Sequence, residues 1–231
     1  MTEYFMVLDI ETANKVEDAL AYDIGFVVTN RYGQIFDAQS LIVREIFNDE
    51  RDLMRSAYYG HKVPQYIEQL KAKQSKMVSI YDAKKIIGNI MKEYKITKVF
   101  AYNACFDKTG LDRTLRYTTK SKYRWFLPYG TQICCIWHMA CQVIFTQKSF
   151  QKFALEHGFY SKSGNYQTSA EVAYRYITKN VDFDEEHKGL DDVFIETAIL
   201  AHCFRQHKRM DKKINRRCWV IPTKLFGKVC Q

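Results

Sequence analysis

The residues of this chain best suited to chemistry are acids at fixed spacing. Asp9 and Glu11 stand one residue apart in Met6-Val7-Leu8-Asp9-Ile10-Glu11-Thr12, after the apolar run Tyr4 to Leu8. Such a run reads as a strand buried on both faces. On a strand, side chains i and i+2 share a face, so both carboxylates converge on one spot. Two carboxylates at the end of a buried strand repel each other and resist desolvation unless a cation lies between them. That is the chemistry of a hard-metal site for Mg²⁺ or Mn²⁺. The plainer alternative, and the commoner one for an isolated Asp-x-Glu, is a strand end emerging into a solvated loop.

Other acids change that balance. Asp107 follows the short apolar strand Lys98 to Tyr102 and opens a helix running through Leu111 and Leu115. His187 lies five residues ahead of Asp192, behind the acidic run Asp182, Asp184, Glu185, Glu186. With a helix starting near Leu190, Asp192 is held firmly in its first turn, while His187 sits on a loop and can swing. A rigid ligand and a mobile base suit metal-assisted hydrolysis. Taken singly, His187 reads as a solvated loop histidine and Asp192 as a helix N-terminal acid favoured by the dipole.

The elements that must position these residues follow from periodicity and turn signals. Ile24 to Val28 and Gln34 to Val43 are strands separated by the turn Asn30-Arg31-Tyr32-Gly33, which gives a meander with the first strand. Residues 49 to 73 read as two short helices with a boundary at Pro64. Ser79 caps an amphipathic helix from Ile80 to Tyr94. Ile133 to Phe145 reads as a strand leading into a buried helix, and Phe150 to His157 as a helix closed by Gly158. Thr168 or Ser169 caps a helix through Tyr176, and the last helix carries Val193, Ile195, Ile199 and Phe204. Strands first, then alternating helices and strands, predicts an α/β fold with a mixed sheet covered by helices.

The 231 residues, 47% of them hydrophobic with 3 Pro and 10 Gly, fit one well-buried domain and exclude disorder. No run of 18 apolar residues and no charged-then-apolar leader occurs, so the expectation is no membrane span and no signal peptide. Seven cysteines without metal-ligand spacing read as reduced thiols of a cytosolic protein. The net charge of +9 points to a polyanionic partner. Nine Lys or Arg lie between Arg205 and Lys228 against one acid, Asp211, with Trp219 and Phe226 interleaved. Lys120, Lys122 and Arg124 form a smaller cluster with Tyr123 and Trp125. Both fit single-strand binding, in which cations meet phosphates and rings stack on bases, and both equally fit solvated surface.

Taken together and in this order, the acids resemble the DEDDh 3′–5′ exonuclease family, which includes polymerase proofreading domains. Asp9-Ile10-Glu11-Thr12 resembles its first motif, Asn103-Ala104-Cys105-Phe106-Asp107 its second, and His187 through Asp192 its third. The likeness covers residues 4 to about 200. The tyrosine branch of the family is disfavoured by Lys188, four residues before Asp192. Tyr102 stands where many members have histidine and Gly189 where alanine is common, and the stretch 158–186 is longer than in compact members.

The resemblance implies an RNase H-like exonuclease fold over residues 1–204, with 205–231 as a basic extension packed on or continuing the same domain. It implies two divalent cations, Mg²⁺ or Mn²⁺, about 3.5–4 Å apart. Asp9, Glu11 and Asp192 would hold the cation that activates water. Asp9, with Asp107 acting through water, would hold the second, near the leaving 3′ oxygen. His187 would be the general base, and Thr12, Ala13, Asn103 and Phe106 would meet the terminal nucleotide. The implied activity is removal of 5′-mononucleotides from 3′ ends, with single-stranded DNA favoured. The alternatives are an exoribonuclease trimming short RNA or tRNA ends, and a nucleic-acid-binding or inhibitory protein on a nuclease fold. The expected setting is the cytoplasm of a bacterial cell or phage-infected host, acting alone or with a polymerase or replication partner.

Overall fold

The apolar stretch that begins at Tyr4 does not stop at the acids. β1 (Phe5–Ala13) runs through Asp9 and Glu11, because β2 (Leu20–Thr29) pairs with it antiparallel to its last residue. A bulge between Glu11 and Thr12 breaks the register, with Glu11 opposite Asp23 and Thr12 opposite Ala21. The strand thus continues past the acids expected at its end: the carboxylates project from a paired, buried strand, and the bulge re-aims the chain just after them. The computed structural model describes residues 2–14, 16–58 and 60–229, so Cys230, one of the seven cysteines, lies outside the described residues.

β3 (Ile35–Val43) completes the meander across the Asn30–Gly33 turn, in which Gly33 has φ +81° and donates its amide to Asn30. β4 (Lys76–Val78) adds a parallel edge to β3 that no sequence pattern foretold. On the other side, β5 (Lys98–Ala101) lies parallel to β1, and β6 (Gln132–Cys135) parallel to β5. The six-stranded mixed sheet has the order β4-β3-β2-β1-β5-β6.

The period-2 alternation of β1 sorts its residues between two cores. Met6, Leu8 and Ile10 face a core closed by α1 (Arg51–Ser56), α2 (Val63–Lys71), α3 (Ile80–Glu93) and α4 (Ala104–Thr119). Phe5 and Val7 face the other, closed by α5 (Ile136–Val143), α6 (Lys148–His157), α7 (Ala170–Thr178) and α8 (Gly189–Arg205). Asp9 and Glu11 continue the odd-numbered set, and therefore point to the side that α8 covers.

Local chemistry sets the helix ends. Ser79 accepts the Asp82 amide at 3.0 Å and Ser169 the Val172 amide at 3.2 Å, each satisfying a first-turn donor. Gly158 closes α6 with φ +72°.

The basic stretch after Arg205 is not a solvated tail. It crosses α5, where Lys212 and Lys213 accept bonds through their carbonyls from Cys135 N and His138 Nδ1. It then forms α9 (Val220–Phe226), and Cys218 within it is fully buried.

Candidate active site

Four segments meet at one cavity of about 1140 Å³. β1 supplies Asp9, Glu11 and Thr12, and the β5–α4 junction supplies Asn103, Phe106 and Asp107. The loop before α8 supplies Glu185 and His187, and α8 itself supplies Asp192 and Glu196. Of the residues expected at the site, Ala13 alone is absent from the lining; it is fully buried in the meander core, since the bulge turns it inward.

Burial dominates the electrostatics. It pushes Glu11 up to about 8, with Asp23 adding to the effect, and Asp192 up to about 9, with Glu185 and Glu11 adding. Burial raises Asp107 to about 7 against the opposing amide of Ile10. Asp9 is raised by burial and then by the charges of Glu196 and Asp107. Asp107 Oδ1, Asp192 Oδ1 and Glu196 Oε2 are buried without a hydrogen-bond partner. Unsatisfied buried oxygens of this kind are costly to the fold, and a hard cation is the ligand that satisfies several at once. The donor set therefore fits divalent metal.

One ligand atom from each of Glu11, His187 and Asp192 lies within 4.8 Å of the others. Asp9 is outside that set and feels Glu196 and Asp107 more than Glu11 or Asp192. His187 has φ +49° and lies 4.0 Å through Nδ1 from Glu185. Burial, then Lys62, lowers its pKa below the usual value. Lys62 reaches the same loop by donating to the Glu186 carbonyl.

Behind the lining, Asp23 on β2 is fully buried and accepts the Gly189 amide at 3.0 Å, the Tyr66 hydroxyl at 3.0 Å and the Ser40 hydroxyl at 3.5 Å. It thereby ties the first residue of α8 to the sheet. A Cβ on Gly25 would lie 2.0 Å from the Gly189 carbonyl carbon, and one on Gly189 2.8 Å from Gly25 N. Two glycines in backbone contact let the helix sit directly on β2, which accounts for glycine where alanine is common.

Tyr102, the other departure, is buried, and its hydroxyl donates to the Thr168 carbonyl at 2.8 Å. Trp137 Nε1 donates to Thr168 Oγ1 at 2.9 Å. The long 158–186 stretch is thus anchored against the site and contributes Thr168 and Glu185 to its wall.

Sequence reasoning missed Glu185, Glu196 and Asp23. Glu196 carried a signal, since it falls four residues after Asp192 on the apolar face of the last helix. Asp23 offered one only in hindsight, as an acid inside an apolar strand, and Glu185 was lost among its acidic neighbours.

The chain has an α/β fold in which a mixed six-stranded sheet is flanked by helices, and that fold is shared with a solved exonuclease. One similar solved structure is E. coli Exonuclease I in complex with a 5cy-dT13 oligonucleotide, with a TM-score of 0.51 and 10% sequence identity. The likeness covers 86% of this chain and 39% of that one, so this chain spans about two fifths of the enzyme's length. No family model matches the chain, and no curated protein matches it in sequence. Among the described residues, no helix is long and apolar enough to cross a membrane.

Proposed function

We propose that the chain is a metal-dependent 3′–5′ exonuclease that hydrolyses the terminal phosphodiester of single-stranded or frayed DNA and releases 5′-mononucleotides. The observation that carries this is the convergence of Asp9, Glu11, Asp107 and Asp192 with His187 on one cavity, with oxygens of Asp107 and Asp192 lacking partners. Asp9, Glu11, Asp107 and Asp192 would hold Mg²⁺ or Mn²⁺. When bound, the two cations supply positive charge to the attacking and leaving oxygens of an in-line displacement.

The chain's own groups do the rest. His187, its pKa lowered by burial and Lys62, is neutral near pH 7 and takes the proton of the attacking water. The loop that carries it lets the ring adjust as substrate enters. Thr12 and Asn103, which line the cavity with Asp9, orient the terminal nucleotide, and the Phe106 ring offers it a surface to pack on. Phosphates further along meet the basic face of α4 and the loop after it. DNA is favoured because the similar structure was solved with an oligo-dT strand.

The test is digestion of single-stranded DNA, duplex DNA and RNA side by side with Mg²⁺, Mn²⁺ or chelator. Chelator-sensitive release of mononucleotides, fastest on single-stranded DNA, is the expected result. Binding without release under every condition would return the chain to a nucleic-acid-binding role, and preference for RNA would make it an exoribonuclease.

A further inference from the structure

We infer that Glu196 is a fifth carboxylate of the metal centre, a ligand on its Asp9–Asp107 side. The inference rests on the proposed nuclease reading and adds a residue that none of its three motifs contains.

Helix geometry supplies the first argument. Asp192 and Glu196 are four residues apart on α8, so their side chains stand one above the other on one face. Both acids line the cavity together with Asp9 and Asp107. Glu196 lies in the same acid array: Asp107 is the charge it feels most, and its own charge is the one Asp9 feels most. Asp192 instead groups with Glu11 and His187. The two carboxylates of α8 thus serve the two ends of the acid array.

The second argument is the state of the side chain. Glu196 is 4% exposed, and its Oε2 is buried with no hydrogen-bond partner. The Tyr102 amide is the stabilising contact its carboxyl receives, and Asp107, Asp192 and Glu185, all acids, surround it. A purely structural glutamate buried at this depth would be matched by a cation or by donors to both oxygens. A buried oxygen left without a partner among acids that line the same cavity is explained by a hard cation held there. The expected consequence is that the second cation has three protein carboxylates around it.

Calorimetric titration of the whole chain with Mn²⁺ tests this independently of turnover. The isosteric Glu196→Gln keeps an acceptor for the Tyr102 amide and removes the charge. Wild type should bind two Mn²⁺. Glu196→Gln should weaken one of them at least tenfold and leave the other within about threefold, and Asp107→Asn should give the same pattern. The rise in Tm on adding Mn²⁺ should shrink in Glu196→Gln, while its metal-free Tm is at least that of wild type, because a repelling charge has gone. Glu196→Asp, which keeps the charge and withdraws it by one methylene, should fall between the two. Two ions bound by Glu196→Gln as tightly as by wild type would overturn the assignment while leaving the nuclease reading intact. A wild type that binds no Mn²⁺ would overturn both.

Discussion

In the cavity, Asp107, Asp192 and Glu196 are buried carboxylates, each with an oxygen that has no hydrogen-bond partner among the described residues. Around Trp125 the cations are half-buried, and most of their nitrogens are already in company, though Arg116 Nη2 has no hydrogen-bond partner. Lys108 Nζ lies 4.9 Å and Arg116 Cζ 4.2 Å from the indole centroid. Lys108 also pairs with Asp112 at 2.9 Å, Arg116 Nε donates to the Arg124 carbonyl at 3.0 Å, and Lys84 donates to the Phe126 carbonyl at 3.1 Å. A buried array that repels itself is hard to justify by stability alone, and on the proposed function it serves to hold an ion. A half-buried cationic array at the surface is only partly screened by water and salt, and can still meet phosphates. The first region should control turnover and the second affinity.

The largest effect should come from the cavity. Asp9→Ala or Asp192→Ala should reduce cleavage to background while the oligonucleotide still binds, as followed by fluorescence anisotropy. Loss of binding alongside cleavage would erase the distinction between the two regions. His187→Ala should lower kcat by about 10²–10⁴, the usual worth of a general base, with KM for the oligonucleotide little changed. Because His187 groups with Glu11 and Asp192, Mn²⁺ calorimetry on this variant is decisive. Unchanged affinity keeps it a base, and lost affinity makes it a ligand.

The scaffold predicts the next effect. Gly189→Ala places a methyl 2.8 Å from Gly25 N and should cost about 1–3 kcal/mol by chemical denaturation. It should lower kcat more than it changes oligonucleotide affinity, since α8 carries the acids and α4 the basic face. Equal losses in both would show that the regions are mechanically coupled.

Much of this arrangement was legible in the sequence because it rests on local rules. The two-residue period of β1, the Asn30–Gly33 turn and the serine caps of α3 and α7 each depend on a few neighbouring residues. Three kinds of feature were not. β4 is three residues long and is specified by pairing with β3 rather than by its own pattern. That the basic extension packs on the domain was expected, but that Cys218 and the α9 face bury against α5 is decided only by tertiary packing. The third kind is residues that act through another element. Asp23 holds α8 from across the chain, and nothing near it in sequence signals Gly189. The motif acids were readable because their order along the chain is distinctive. Glu196 was passed over because a lone glutamate in a helix ordinarily faces water.

Stability should respond to pH through the cavity. Its carboxyls have folded-state pKa values raised above the usual ones, Glu11 to about 8 and Asp192 to about 9. The metal-free fold therefore holds protons that the unfolded chain releases. Their contribution to stability is complete below about pH 4 and is lost as pH rises to about 9, with a slope of about 1.4 kcal/mol per pH unit for each extra proton held. Thermal melts with chelator should show Tm falling from pH 5 to 9, and Mg²⁺ should flatten the curve. A chelated protein with no such fall would mean that the acids are ordinarily solvated.

The smallest effect belongs to the basic face. Arg116→Gln or Trp125→Ala should raise KM on long oligonucleotides a few-fold at unchanged kcat, and loss of one phosphate contact should reduce the salt slope of binding by about 1. An unchanged slope would make the cluster a solvated surface.

The central claim is that the cavity cuts from the 3′ end. A single-stranded DNA carrying distinct labels at its two ends, digested with Mg²⁺ by wild type and by Asp192→Asn, tests it most directly. The account predicts that wild type releases the 3′ label first, as a 5′-mononucleotide. The 5′ label should remain on a ladder shortening one nucleotide at a time, and Asp192→Asn should leave both labels in place. Early release of the 5′ label, internal fragments at the first time points, or an active Asp192→Asn would contradict it.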